Sequence, residues 1–296
     1  MKTFAILGSS GSGKTALSLE IAQEKKCAIL SLDSLSVYRE IDIISAKPTK
    51  EEMQGIWHFG IDILEPTQPH NVQIFIQEYQ RAKSHCQETN KNLLIVGGTG
   101  FYLKMLLDGL SCFPTFDKQK VDLQIQLLGN LESQYDFLCK IDSIYAAKLK
   151  PTDTYRIHKA LQIYFATQKS PTQYFKENQQ TPIIQECEIY EITLKREILR
   201  QRIIQRTQKM LENGAIKETE NLIKKYGKNY QWAKSIGIKE IIGFLENTLQ
   251  ESELESLIST HTAQLAKRQR TFNKTQFREH FCGDSKEIWR EISKKI

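Results

Sequence analysis

The chain has 296 residues, of which 40% are hydrophobic and 26% charged, as in an ordinary globular protein with a core. Its net charge of +6 is only a weak indication of a polyanionic partner. No apolar stretch approaches the roughly 18 residues of a membrane helix, and the apolar run before Gly8 is too short for a signal peptide. We therefore expect a cytoplasmic protein that does not associate with membranes.

The first hundred residues alternate strand and helix patterns, which predicts a parallel α/β sheet. Short continuous apolar runs are typical of buried parallel strands, and apolar residues at helical spacing separate them. The predicted elements are strands over Thr3–Leu7, Cys27–Leu32 and Asn92–Val96 and helices over Ala16–Glu24 and Ile74–Thr89.

The pattern becomes mainly helical near Ser111, and prolines punctuate that stretch. We expect a helical insertion over 111–185, a return to the sheet over Glu188–Leu194, and helices from Lys195 onward. The predicted core is therefore 1–110 with 186–296.

Cysteine spacing gives no sign of a zinc or disulfide framework. No two cysteines have C-x-x-C spacing, so we expect neither a structural zinc site nor disulfides. The six are Cys27, Cys86, Cys112, Cys139, Cys187 and Cys282.

A phosphate-binding loop follows the first predicted strand and precedes the first predicted helix. The segment Gly8–Thr15 satisfies G-x-x-x-x-G-K-[ST], in which backbone N–H groups surround phosphate oxygens. Lys14 can reach the outer phosphate, and the Thr15 hydroxyl can bind Mg²⁺. The predicted diphosphate-binding residues are Gly8, Ser9, Ser10, Gly11, Ser12, Gly13, Lys14 and Thr15.

Asp33 follows the second predicted strand, where the ligand crevice of a parallel sheet lies. It is a candidate metal-site carboxylate or catalytic base. The alternative is that Asp33 only caps the next turn, as aspartates in such loops often do.

Two segments concentrate positive charge. Lys195–Lys209 contains one acid, and Arg202, Arg206 and Lys209 fall on one helical face. Ser256–Arg278 contains no acid and has Phe272 and Phe277 among its cations. A solvated helix face is the ordinary interpretation of such a run, but cations interleaved with aromatics favour RNA contact for the second segment.

An ordered set of motifs resembles the bacterial tRNA dimethylallyltransferases over nearly the whole chain. The loop alone is common, whereas the ordered set is specific. The matching segments are Gly8–Thr15, Asp33-Ser34 with Val37-Tyr38-Arg39, Ala46-Lys47-Pro48-Thr49, His58 with Ile61-Asp62, Gly97–Leu103, Arg202–Arg206 with Met210 and Gly214, Ile236–Glu240 and Ala266–Thr271.

The resemblance implies a P-loop NTPase-like fold and transfer of a dimethylallyl group from its diphosphate to N6 of adenosine 37 in tRNA. It implies that Asp33 is the general base and that Thr99 helps to hold the target adenine. It also implies that Arg206 reaches the phosphates, which Mg²⁺ would bind as well. The partners would be dimethylallyl diphosphate and the anticodon stem-loop of a tRNA, and the protein would act as a monomer.

The same resemblance implies that the target base is flipped out of the anticodon loop into a channel. It also implies a set of residues that line the path of the tRNA. They are Asp33, Ser34, Leu35, Ser36, Thr99, Tyr155, Arg156, Ile157, His158, Lys159, Lys234, Ser235, Ile236, Gly237, Ile238, Lys239, Lys267, Arg268, Gln269, Arg270, Thr271, Phe272, Asn273 and Lys274.

The chain departs from the family pattern at a few positions. Ser36 stands where glutamine is common, and His261 stands where arginine is frequent. In the last motif, Thr271-Phe272-Asn273-Lys274 replaces the usual T-W-F-R.

Three other functions share some of these features. A nucleotide or small-metabolite kinase would have the same loop and sheet and would bind ATP, but would not need an acid-free basic helix. A non-catalytic RNA-binding protein would be expected to lose Lys14 or Thr15. An isopentenyltransferase acting on free AMP has the same chemistry but no use for the long basic C-terminal segment.

Overall fold

The computed structural model describes residues 1–110, 113–178 and 181–296, which form two compact units. One unit comprises Met1–Leu106 and Ile184–Ile296, and the other comprises Leu107–Ile183. The predicted start of the insertion at Ser111 lies outside the described residues.

The first unit is built on a six-stranded sheet in which all paired strands are parallel. The inner strands β1, β2 and β4 are mainly apolar and buried on both faces, as strands between layers of helices are. In the order β3-β2-β4-β1-β5-β6, the strands are β1 (Thr3–Leu7), β2 (Cys27–Ser31), β3 (His58–Phe59), β4 (Asn92–Gly97), β5 (Glu188–Ile192) and β6 (Phe281–Gly283).

The predicted parallel α/β sheet is confirmed, and β1 has the predicted bounds. The prediction that everything after Lys195 is helical is wrong, because β6 pairs with β5. The edge strand β3 was also missed. Strands of two and three residues are too short to show a period-two pattern, and pairing with a neighbouring strand creates them.

Helices flank the sheet in the first unit. The helices α1 and α14 contribute Leu17, Ile21, Ile288 and Ile292 to one apolar cluster against the strands. The helices of this unit are α1 (Lys14–Glu24), α2 (Lys50–Met53), α3 (Val72–Glu88), α4 (Gly100–Asp108), α10 (Arg196–Glu212), α11 (Ala215–Tyr226), α12 (Ile238–Leu245), α13 (Glu251–Gln276) and α14 (Ser285–Ser293), with a 3-10 turn at Gln231–Lys234.

The second unit is helical and has its own core, in which Leu138, Ile157 and Leu161 are fully buried. Side-chain caps begin most of these helices, as at Asn130 and Asp153. Its helices are α5 (Lys118–Gln126), α6 (Leu131–Ile141), α7 (Ser143–Ala146), α8 (Thr154–Thr167) and α9 (Pro171–Glu177).

The longest helix is α13, with 26 residues, and it carries the predicted basic segment. Within the described ranges, neither this helix nor any other combines the length and the apolar composition that crossing a membrane requires.

Candidate functional site

The phosphate loop connects β1 directly to α1. Gly11 and Gly13 have φ angles of 80° and 96°, a left-handed conformation that favours glycine. The loop therefore turns tightly enough for α1 to begin at Lys14. The N–H groups in the first turn of a helix have no acceptor within the helix, so this end of α1 is an anion-binding position.

Lys14 lies inside the loop, and its Nζ donates a 2.8 Å hydrogen bond to the carbonyl of Ser9. Burial, followed by the charge of Arg206, lowers the pKa of Lys14 to about 8, and Asp33 opposes this shift. A positive charge held at such a cost in free energy is suited to a polyanionic ligand that would compensate for it.

Two arginines of α10 approach the loop, although they lie about 190 residues further along the chain. Arg202 donates to the carbonyl of Ser12, and Arg206 donates to the carbonyl of Ser45, each at 3.3 Å. Burial lowers the pKa of Arg206, and Asp33 opposes the shift. Lys209, predicted on the same face, is exposed and does not line the cavity described below.

Asp33 caps the turn that follows β2, because its Oδ1 accepts N–H groups from Leu35 at 2.8 Å and Ser36 at 3.2 Å. The turn-capping alternative therefore describes a real contact. It does not exclude a chemical role, because Oδ2 accepts no hydrogen bond from the described residues and the side chain lines the cavity. The charge of Asp33 also acts on Lys14 and Arg206.

The glycines around Thr99 allow α13 to approach the end of β4. A Cβ at Gly98 would lie 2.6 Å from Nε2 of Gln269, and one at Gly100 would lie 2.3 Å from Oδ1 of Asn273. Larger residues here would therefore force the side chains of Gln269 and Asn273 on α13 to move. Thr99 lies between these glycines and lines the cavity.

These groups surround one cavity of about 400 Å³, within the size range of small-molecule sites. Its charged end contains Lys14, Asp33 and Arg206. Apolar and polar side chains share the remaining wall. The lining also includes the predicted site residues Ser10, Thr15, Ser34, Leu35, Ser36, Thr99, Lys234, Ser235, Ile236 and Gln269.

Much of the apolar wall was not predicted. It comes from three separate segments, and the motif matches at Ala46–Thr49 and at Arg202–Arg206 with Met210 were the sequence signals for part of it. The residues are Ile44, Pro48, Ile203, Met210, Ile258 and Leu265. The carboxylate of Glu218 on α11 accepts the N–H groups of Asp42, Ile43 and Ile44 and so fixes the first segment.

A buried carboxylate organises the segment before α12. Glu240 is 2% exposed, accepts the N–H of Gly237 at 2.7 Å, and lies 2.6 Å from Nδ1 of His261. This bond joins the segment to α13. His261 thus contacts the carboxylate that holds the N–H of Gly237, next to the cavity residues Lys234 and Ile236. The sequence did not predict this contact of His261.

The predicted basic segment of α13 carries four exposed cations. Lys267, Arg268, Arg270 and Lys274 are exposed, and none of them forms an ion pair with a carboxylate in the described parts of the chain. Gln264, Lys267, Arg268, Thr271, Phe272 and Thr275 line an open groove there.

Three residues predicted along the tRNA path are core residues instead. Ile157, Ile238 and Asn273 have 0% exposure, so their side chains cannot contact RNA in this structure. The family motifs that include them contain both surface and core positions, and the resemblance does not separate the two.

The helical unit carries the remaining predicted residues. Tyr155 is 73% exposed, and Arg156 pairs with Asp153 at 2.6 Å. His158 lies 3.5 Å from a carboxylate oxygen of Asp122, and the Nζ of Lys159 lies 4.5 Å above the ring of Phe113.

Two family models match the chain. The IPP transferase model matches residues 36–276, and the isopentenyl transferase model matches residues 1–62. Together they cover the cavity residues of the sheet, α10 and α13.

Relatives and solved structures agree with these models. The tRNA dimethylallyltransferase of Wolinella succinogenes is 48% identical over 94% of this chain and 93% of its own length, and that of Sulfurimonas denitrificans is 45% identical over the same shares. The tRNA isopentenylpyrophosphate transferase structure from Staphylococcus epidermidis is 29% identical, with a TM-score of 0.70 over 99% of both chains. A eukaryotic dimethylallyltransferase acting on tRNA is 27% identical, with a TM-score of 0.84 over 96% of this chain and 74% of that one. The chain therefore belongs to the IPP transferase family, to which bacterial tRNA dimethylallyltransferases belong.

Proposed function

We propose that this transferase moves a dimethylallyl group from dimethylallyl diphosphate to N6 of adenosine 37 in tRNAs that read codons beginning with U, releasing diphosphate. The family relationship favours this function over the kinase alternative. The observation that carries the proposal is a cavity in which Lys14 and Arg206 face Asp33, beside a wall to which Ile203, Met210 and other apolar side chains contribute.

The two kinds of lining suit the two parts of the donor. Lys14, Arg206 and the first turn of α1 would bind the diphosphate, whose negative charge increases as it leaves. Apolar side chains such as Ile203 and Met210 would cover the five-carbon group and keep water from it.

The proposed reaction forms one bond and breaks another at the same carbon. The N6 nitrogen attacks C1 of the dimethylallyl group, and the C1–O bond electrons pass to the departing diphosphate. Asp33 accepts the proton that N6 loses. Positioning by Asp33 and Thr99 is needed because the N6 lone pair is delocalised into the adenine ring.

The donor atoms near the loop suit Mg²⁺. The Thr15 hydroxyl lines the same cavity as Lys14 and Arg206, and Mg²⁺ prefers a few oxygen ligands from protein combined with phosphate oxygens. Bound there, the cation would neutralise charge on the leaving diphosphate.

The tRNA would approach the side of the cavity that Ser34, Lys234 and Gln269 line, with the exposed cations of α13 contacting its phosphates. Tyr155, Arg156, His158 and Lys159 of the helical unit are further proposed contacts. Under this proposal the protein acts in the cytoplasm as a monomer.

A transfer assay tests the proposal. Purified protein, Mg²⁺ and radiolabelled dimethylallyl diphosphate are incubated with unmodified tRNA containing A36-A37, and separately with AMP. A third reaction contains ATP and candidate small acceptors. Label in tRNA alone is the expected result. Label in AMP would change the acceptor, and ATP consumption without label transfer would support a kinase.

Diphosphate affinity should decrease as pH rises above 8. The pKa of Lys14 is about 8 without ligand, and a bound anion stabilises the ammonium form and so raises this pKa. Above pH 8, binding must therefore take up a proton, and affinity should fall up to about tenfold per pH unit. Calorimetry with inorganic diphosphate at pH 7, 8 and 9 measures this. In Lys14→Ala the same interval should show a much smaller change, and an equal change would exclude Lys14 as the cause.

Neutralising Lys267, Arg268 and Arg270 together should weaken tRNA binding and flatten its salt dependence. Each lost phosphate contact reduces the logarithmic salt slope by about 0.7–0.9, so the slope should decrease by roughly 2–3. Binding measured across a salt series provides the slope. The matched control neutralises Lys286, Arg290 and Lys294, which lie exposed along one face of α14. Equal slopes in the two triple variants would move the RNA surface away from α13.

A further inference from the structure

Three groups with metal-binding side chains meet at the β5–β6 edge of the sheet, outside the cavity. Glu191 lies in β5, His280 directly precedes β6, and Cys282 lies within β6. One potential ligand atom from each residue lies within 4.8 Å of the other two. The spacing of the cysteines could not reveal this cluster, because its carboxylate lies 89 residues before its histidine.

The carboxylate and the imidazole of this cluster are buried, with 6% and 8% of the side chains of Glu191 and His280 exposed. Asn273 donates from Nδ2 to Oε1 of Glu191 at 2.8 Å, which fixes the carboxylate and leaves Oε2 facing the histidine. A buried carboxylate is strongly disfavoured unless a positive charge and hydrogen bonds compensate for it. The cluster therefore needs a cation near Oε2.

The backbone determines which nitrogen of His280 is available to the cluster. Its Nδ1 lies 2.8 Å from the carbonyl oxygen of Phe277, and only a protonated nitrogen can donate to that oxygen. In the neutral ring, Nε2 then carries a lone pair. This atom lies 3.0 Å from Oε2 of Glu191 and 3.2 Å from Sγ of Cys282.

Two chemical states could account for these contacts. An imidazolium has a single proton on Nε2, which would serve the carboxylate and leave the sulfur without a specific role. A divalent cation accepts lone pairs from the nitrogen, the carboxylate oxygen and a thiolate together. We propose that Glu191, His280 and Cys282 form a binding site for a divalent transition metal of the zinc type.

The donor set and its surroundings match those of zinc sites. Zinc binds cysteine, histidine and carboxylate ligands, which in a tetrahedral site lie roughly 3.3–3.8 Å apart. The present spacings reach these values through small side-chain adjustments. A histidine that binds zinc usually donates its other N–H to a backbone carbonyl or carboxylate, as His280 does to Phe277. The exposed side of Cys282 leaves a fourth position for water.

A metal at this position would join β5, β6 and α13. It would bind β5 to β6 directly and, through Asn273, hold the C-terminal half of α13, which carries the exposed basic residues. This site differs from the proposed Mg²⁺ position at Thr15, because its sulfur and nitrogen donors favour zinc or cobalt over magnesium.

Cobalt spectroscopy of the full chain tests the proposal. The protein is freed of metal with a chelator and titrated with Co²⁺ in excess Mg²⁺, which occupies oxygen-only sites. We expect one equivalent of Co²⁺ to produce a thiolate-to-cobalt charge-transfer band, and Zn²⁺ to displace it. Zinc should also raise Tm by several degrees, because it binds only the folded protein.

Cys282→Ser should abolish the cobalt–thiolate band and weaken zinc binding at least about 10–100-fold, the loss that even an outer-shell change can cause. Glu191→Gln should also weaken zinc binding, and circular dichroism checks that both variants fold. Cys139→Ser removes a different free cysteine, in α6, and should leave the band unchanged. The absence of a band in the unaltered protein, its persistence in Cys282→Ser, or unchanged zinc affinity in Glu191→Gln would overturn the proposal in favour of an imidazolium–carboxylate pair.

Discussion

Asp33→Asn is expected to reduce prenyl transfer by about 10²–10⁴-fold, the range of a lost general base. The asparagine Oδ1 can still accept the N–H groups of Leu35 and Ser36, so the turn after β2 should keep its shape. The loss should therefore appear in kcat, with little change in tRNA affinity. Single-turnover transfer and a separate tRNA-binding titration measure the two quantities.

The control for Asp33→Asn is Asp136→Asn, which removes the same charge from an exposed position in α6. It should transfer the prenyl group at the wild-type rate. Near-normal turnover in Asp33→Asn would mean that Asp33 only caps its turn and that the proton leaves by another route.

Lys14→Ala should lower kcat/KM by about 10²–10³-fold, the typical cost of losing a donor that stabilises developing charge. The side chain is partly buried within the phosphate loop, and the alanine would leave no cation in its place. Both the affinity for inorganic diphosphate and the rate of transfer should decrease, since the charge interacts with the donor before and during bond breaking.

Calorimetry with inorganic diphosphate and steady-state transfer kinetics measure these effects. Lys25→Ala removes a lysine at the opposite end of α1, where Nζ lies 6.0 Å from the centre of the Trp289 ring, and should preserve both quantities. Unchanged diphosphate affinity in Lys14→Ala would remove this lysine from the site.

A strand of the sheet could be predicted where the residues of that strand alone show a strand pattern. The strand Thr3–Leu7 is a continuous apolar run bounded by a glycine loop, and the structure confirms its bounds. The strands β3 and β6 have two and three residues, and only the presence of a neighbouring strand defines them. Pairing between distant segments creates such elements, and no local pattern records it.

In the candidate site, too, local motifs could be predicted and contacts between distant segments could not. The phosphate loop is a local motif, and its strand–loop–helix context was predicted from the chain around it. In contrast, the contact between Glu240 and His261 joins two helices, and the turn at Asp42–Ile44 depends on a carboxylate about 175 residues away. The burial of Asn273 and Ile238 was also not predictable, because one motif spans both faces of its helix.

The sheet order has a consequence for synthesis of the chain on the ribosome. The first strand, β1, lies between β4 and β5, so its partners begin at Asn92 and Glu188. At about 5–20 residues per second, roughly 9–36 s separate the emergence of β1 from that of β5. Throughout that interval one edge of an apolar strand lacks its partner, whereas the helical unit Leu107–Ile183 has all of its own residues earlier. We expect ribosome-bound chains in which residue 185 is followed by a linker long enough to span the exit tunnel to contain a protease-resistant helical unit and a protease-sensitive sheet, which pulse proteolysis would reveal. Equal resistance of both units would show that the sheet is already stable without β5.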